Sequence, residues 1–324
     1  MKRGFSFLAI FFLVILLAIP ASAAKLNITL TAGSVGGAWA AIGQGVGECI
    51  RKLEKNTVFT LQPGRDGANA IRVNSGKADL GIVHLGIAKA AINGTEPFKK
   101  PYKDVRAITI LYSRAMYHFV ILKKSGITDI AQIKAKKYPL KVSMNTKGSY
   151  MEIVGKNILA GYGIIYNDIK KWGGQVNFLA MRPSFPLIKD GRIEAISNVI
   201  QVPSSHIKEL ATTHKLCLLP IRDDIRKKVA KKLSLKLDVI PASAYNFIDK
   251  DIPTVSASVV LICSAKMPED VAYTITKAIH KNLSYLAKVH RALKALNAKG
   301  MAQVGDVPLH PGALKYYKEI GVIK

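Results

Sequence analysis

From Leu26 onward, apolar and polar positions follow two rhythms that trade places along the chain. Residues 26–31 have the period of two of a half-buried strand, and the turn Gly33-Ser34-Val35-Gly36-Gly37 separates them from a helical stripe of Ile42, Val46, Ile50 and Leu53. Residues 69–75 read as a short helix stopped by Gly76, and 80–83 as a buried strand ending at His84. Strands over 105–111, ending at Tyr112, and over 117–122 follow. A helix over 125–137 would be capped by Ser125 or Thr128, and 140–144 is a strand. Lys147-Gly148-Ser149 then opens a helix that Gly161 or Gly163 closes. In the second half, strands are expected over 176–181, 193–200 and 255–263. Helices are expected over 185–189 up to Gly191, after Ser204 or Ser205, and from Pro311 to Gly321. A long helix from Pro268 would bury Val271, Ile275, Ile279, Leu283 and Leu286.

This alternation of about ten strands with helices defines an α/β architecture, read as mostly parallel sheets. Two α/β lobes with a cleft between them fit the strand count, and the chain would pass between lobes through strands. No repeat or low-complexity linker interrupts it.

The first residues read differently. Lys2 and Arg3 precede an apolar run over 7–19, Pro20 breaks it, and Ala21-Ser22-Ala23 is a small-x-small cleavage site. The run is shorter than the roughly 20 apolar residues of a spanning helix, so an export signal over 1–23 is preferred to an uncleaved anchor. Cleavage near Ala23 places the mature chain in the periplasm, without a cysteine for lipid attachment. No later segment reads as a membrane span. Cys49, Cys217 and Cys263 are an odd set without metal-ligand spacing, and each lies in an apolar stretch as core filler would. A bridge between Cys217 and Cys263 is the alternative.

Charge adds a partner question. The chain holds 48 Lys and Arg against 21 Asp and Glu. Such a field attracts anions. The lysines are spread along helices with no aromatic-interleaved motif, which argues against nucleic acid. An acidic exterior would also favour few carboxylates, a reading that a steep loss of stability below neutral pH would undermine.

Candidate chemistry sits beyond strand ends, where helix N-termini present free N–H groups. Two turns qualify: residues 33–37, with Ser34, Val35, Gly36 and Gly37, and Lys147-Gly148-Ser149. Each could hold a carboxylate. Gly36-Gly37-Ala38 lacks the Gly-Lys-Ser/Thr of a phosphate loop and the dinucleotide fingerprint, so no cofactor is expected. His84, Tyr112 and Asn198 stand at or near strand ends; the other six histidines read as surface. There is no metal-spaced cluster and no Gly-x-Ser-x-Gly elbow, and the chain is read as a binding protein, not an enzyme.

Taken together, Gly33-Ser34-Val35-Gly36-Gly37-Ala38-Trp39 with Gly43, Asn74-Ser75-Gly76-Lys77-Ala78-Asp79-Leu80, Lys123-Lys124-Ser125-Gly126-Ile127, Gly148-Ser149, Lys189-Asp190-Gly191-Arg192-Ile193-Glu194-Ala195 and Ile252-Pro253-Thr254-Val255 form an ordered set. In it the mature chain resembles the TAXI solute receptors of TRAP (tripartite ATP-independent periplasmic) transporters. The resemblance implies a type II periplasmic-binding-protein fold that closes on a small anionic or amino-acid-like solute and docks on a TRAP permease. It implies that the first turn, His84 and the Gly148-Ser149 helix start line the cleft, Trp39 being part of the matched turn. Trp39, Ala40 and Ala41 replace the family's paired tyrosines and proline. His84 replaces a frequent glutamine, and Asn145-Thr146-Lys147 a glycine-rich loop. The expected lobes are 24–115 with 255–324, and 116–254, in a monomer. A sensor subunit or an ABC-importer receptor of the same fold, or a periplasmic hydrolase, are the alternatives.

Overall fold

The computed structural model describes residues 26–324; the expected export signal lies outside them. The chain begins β1 (Asn27–Thr31), α1 (Ala38–Leu53), β2 (Val58–Gln62), α2 (Asp66–Asn74), β3 (Leu80–His84), α3 (Leu85–Asn93) and β4 (Val105–Leu122). It continues α4 (Ile130–Ala135), β5 (Lys141–Ser143), α5 (Tyr150–Gly161), α6 (Tyr166–Lys171), β6 (Gln175–Asn177), α7 (Met181–Lys189) and β7 (Ala195–Gln201). Then come α8 (Ser205–Thr213), β8 (Leu216–Leu218), α9 (Asp223–Leu233), β9 (Lys236–Ile240) and β10 (Ile252–Ser264). Four helices end the chain: α10 (Glu269–Lys281), α11 (Leu283–Val289), α12 (Ala298–Met301) and α13 (Pro311–Glu319).

The strands run in the order β2-β1-β3-β10-β4-β7-β5-β6, with β8 on β4 and β9 on β10. Parallel pairs occupy the two wings: β1 with β2 and β3, and β5 with β6 and β7. The centre is antiparallel, because β10 pairs with β3, β4 and β9, and β4 with β7 and β8. The expected mostly parallel sheet is therefore corrected: two long strands cross the molecule in opposite senses and feed both wings.

The strands expected over 105–111 and 117–122 are one strand, β4. Polar Ser113-Arg114 marks an irregularity within it, where Arg114 has φ 63. Ala257 pairs with Ala115 and Val259 with Tyr112, so Ser113 and Arg114 together oppose Ser258 alone. This is a β-bulge in β4, which bends that strand, and two further register shifts follow between Val259 and Val260 and between Leu261 and Ile262.

Hydrophobic patterning explains the layers. On α1, Ile42, Val46, Cys49 and Ile50 are buried, while Leu53 at the frayed end is 39% exposed, against expectation. One core cluster joins α1, α2, α3, α5 and α10 to the sheet; a second, with Ile188, Ile196, Ile207 and Leu210, lies under α7 and α8. The helix expected over 125–137 is replaced by a short turn and α4, because Gly126 takes φ 67 and the Asp129 side chain accepts from Ala131 N–H. The long helix expected from Pro268 breaks at Asn282, whose side chain donates to the Ala278 carbonyl. Strand 176–181 stops at Asn177, and Met181 opens α7. Cys217 and Cys263 pair with Ile121 and Arg106 of β4, fifteen residues or roughly 50 Å apart along the strand, so they do not bridge. No helix among the described residues is long and apolar enough to cross a membrane.

Candidate functional site

Three rings meet where β3 ends. The His84 ring lies 5.0 Å from Trp39 of α1 and stacks at 4.9 Å on Tyr150, the first residue of α5. Trp39 follows the first glycine turn and Tyr150 follows Ser149 of the second. The two predicted turns thus converge on His84 from opposite wings. Tyr112, last before the bulge in β4, accepts a hydrogen bond from Trp39 Nε1 at 2.9 Å.

His84 is only 3% exposed, and it is not a bare core histidine. Asp66, at the start of α2, accepts from its backbone N–H and from its Nδ1, both at 2.9 Å. The carboxylate stands where the α2 dipole favours negative charge. Asp66 and Tyr150 stand in this candidate site and were missed by sequence reading. Asp66 opens α2, 18 residues before its partner and ahead of the helix expected from 69, and Tyr150 reads as an ordinary helix start.

The first turn is open. Gly36 has φ 73, and Gly37 N–H closes the turn on the Ser34 carbonyl at 3.0 Å. No side chain caps α1, and among the described residues the N–H groups of Ser34, Val35, Gly36, Ala38 and Trp39 reach no protein acceptor. Ser34 and Gly36 are exposed, and Val35 is 86% exposed, so its side chain points to water. Free donors at a helix N-terminus are suited to an anion.

The second turn is capped by its own chain. Ser149 Oγ accepts from Glu152 N–H, and Glu152 Oε2 accepts from Gly148 N–H at 3.1 Å. Tyr166 donates to the other oxygen of this buried carboxylate at 2.6 Å. Gly148 N–H is thus engaged with Glu152, Ser149 N–H with the Thr146 carbonyl and Ser149 Oγ with Asn145, while among the described residues the N–H groups of Lys147, Tyr150 and Met151 reach no protein acceptor. The signal was present as Ser149-Tyr150-Met151-Glu152, a capping-box pattern. Lys147 remains exposed, its ammonium 5.6 Å from the Phe178 ring. Asn198 is buried: it accepts from Asn145 Nδ2 at 3.2 Å and from Val199 N–H. It reaches Ser149 only through Asn145, whose Oδ1 accepts from Ser149 Oγ at 3.4 Å.

Chemistry follows from these groups. Burial pushes the Tyr112 hydroxyl up to about 12 and the Tyr150 hydroxyl higher still, so both stay protonated donors. No cluster of metal ligands occurs among the described residues. A groove of about 390 Å³ lined by Lys123, Lys124, Thr213, His214 and Lys215 lies at the far end of β4, roughly 33 Å from Tyr112. It is open basic surface without a buried polar group.

Solved structures share this architecture. The chain is similar to MatC from Rhodopseudomonas palustris, solved with bound malate, at 15% identity over 90% of this chain and 97% of that one, with a TM-score of 0.56. It is similar to the periplasmic binding protein BugD at 12% identity over 91% and 93%, TM-score 0.55. A TctC solute-binding protein from Polaromonas matches at 17% identity over 93% and 100%, TM-score 0.50. The fold is the type II periplasmic-binding-protein fold, two α/β lobes about a cleft. The model of the NMT1-like family matches residues 30–321, and the chain belongs to that family.

Proposed function

We propose that this protein is an extracytoplasmic solute receptor of the TAXI kind, which captures a small carboxylate-bearing solute and delivers it to a TRAP permease. The observation that carries the reading is the open N-terminus of α1 beside the three-ring contact between the wings. Its free N–H groups bind a carboxylate without needing an arginine, and Lys147 adds a cation from the other side of the cleft. The fold shared with MatC, a malate-bound protein, agrees with an acidic solute.

In this reading residues 1–23 are a signal peptide, cleaved near Ala23, and the receptor works as a periplasmic monomer. Residues 24–115 with 255–324 form one lobe and 116–254 the other. The β4–β10 bulge then lies at the crossing between lobes, where bending lets them close.

A mass spectrum of small molecules released from the purified, denatured protein tests the proposal. The expected result is an acid that, added back at 100 times its Kd, stabilises the protein by about 2.7 kcal/mol. Absence of a released acid, together with unaltered melting across carboxylates and amino acids, rejects it.

A further inference from the structure

Each ring of the cleft stack is held at its edge by its own lobe. Trp39 Nε1 is bonded to Tyr112, His84 Nδ1 to Asp66, and the Tyr150 hydroxyl donates to the Leu233 carbonyl at 2.5 Å. The stacking of Tyr150 on His84 is therefore a contact between two separately braced surfaces. The neighbouring backbone is fitted to it, since a Cβ at Gly86 would stand 2.4 Å from the Tyr150 oxygen and 2.5 Å from the Leu233 carbonyl.

Asp66 determines which edge of His84 is left. Its carboxylate accepts from the backbone N–H and the Nδ1 of the same residue, so ring position and proton position are set together. Trp39 and Tyr150 cover the faces. Nε2 makes no hydrogen bond to protein among the described residues, yet it is not sealed off as His310 Nε2 is. Among the described residues, the side-chain hydrogen bonds of the buried Asp66 carboxylate all go to His84, to its backbone N–H and its ring.

We propose that Asp66 is a positioning residue of the solute site: it directs the His84 Nδ1 proton to itself and leaves Nε2 as the ring's single free polar edge, while Tyr150 brings the second lobe against one face of the ring. This rests on the reading of the cleft as the solute site. A solute group that meets His84 then meets Nε2, edge-on, between two aromatic rings.

The test is long-range proton–nitrogen NMR of the histidine-labelled mature protein, with the His84 signals identified by their loss in His84→Gln. In the unsubstituted protein the His84 ring carries its proton on Nδ1. Asp66→Asn, which can donate as well as accept, loses that preference while the other six histidines keep their patterns. Tyr150→Ala removes the upfield ring-current shift of the His84 carbon-bound protons, and Tyr150→Phe retains it. A proton on Nε2 alone, an unchanged pattern in Asp66→Asn, or unchanged shifts in Tyr150→Ala overturns the proposal. These measurements use no solute: failure to find one counts against the receptor reading and leaves the positioning of His84 to be judged by NMR.

Discussion

The helix after the first glycine turn and the helix after the second begin alike in sequence, Gly37-Ala38-Trp39 against Gly148-Ser149-Tyr150, yet only the second carries a side-chain cap. At α1 the N–H groups of residues 34–36, 38 and 39 have no protein acceptor. At α5, Gly148 N–H goes to Glu152 and Glu152 N–H to Ser149. The second lobe repeats this closure deeper inside. Ser204 N–H donates to Tyr245 Oη at 2.8 Å, Tyr245 donates to His118 Nε2 at 3.0 Å, and His118 Nδ1 donates to the Met116 carbonyl at 2.9 Å. Ser184 likewise donates to Ser143 at 2.8 Å. Polar groups that satisfy one another inside the chain hold it rigid, whereas free donors at a helix start are open to an anion.

The largest effect should come from challenging the closed chain with acid. Burial drives His118 down to about 4, against the carbonyl bond that favours its charged form. A proton added at Nε2 would face a Tyr245 oxygen already receiving the Ser204 N–H. The folded protein keeps His118 neutral while the unfolded chain binds a proton below about 6.5. Stability is therefore full above pH ~6.5 and is lost as pH falls toward 4, by about 3 kcal/mol at most. His280, His290 and His310 are lowered by burial too and act in the same direction. Urea midpoints at pH 7 and 4.5 should differ strongly in the parent and less in His118→Gln; equal differences would show that the chain is not closed. A fall of this size counts against an acidic habitat as the reason for the basic surface.

Next in size is the cap itself. Glu152→Ala leaves Gly148 N–H and the Tyr166 hydroxyl without their acceptor and should cost about 2 kcal/mol. Ser34→Ala, at the open turn, should stay within about 0.5 kcal/mol of the parent. Chemical denaturation at constant slope measures both. Similar losses would erase the contrast between the termini.

Much of this was legible before the fold was seen, and the exceptions have physical causes. The stripe Ile42, Val46, Ile50 and the run 80–83 located α1 and His84, because burial periodicity is a local property. The antiparallel centre was not legible. Pairing of β4 with β10 joins Ser256 to Met116, 140 residues apart, and no local pattern specifies a partner at that distance. Ser113-Arg114 looked like a gap between strands because a bulge interrupts alternation as a turn does. In the site, glycine spacing pointed to both turns but carried no information on which donors the chain itself would occupy. That depended on Glu152 and Tyr166 reaching the same point.

A matched pair of glycines isolates the difference with the smallest expected change. Gly36 and Gly148 have φ 73 and 76, and a Cβ on either would meet nothing within 4 Å. Alanine at each position therefore imposes the same left-handed backbone cost, about 1–2 kcal/mol, with no steric clash. Stability alone should not tell the two variants apart. Solute affinity should: Gly36→Ala shifts the free N–H groups and should weaken binding about tenfold, or 1.4 kcal/mol, while Gly148→Ala disturbs a donor already turned to Glu152 and leaves affinity within about twofold. Calorimetric titration with the acid released from the protein decides between them. Equal weakening in both would mean that Glu152 yields its place when solute enters and that the second turn is a solute contact after all. Weakening in Gly148→Ala alone would move the carboxylate site from α1 to α5.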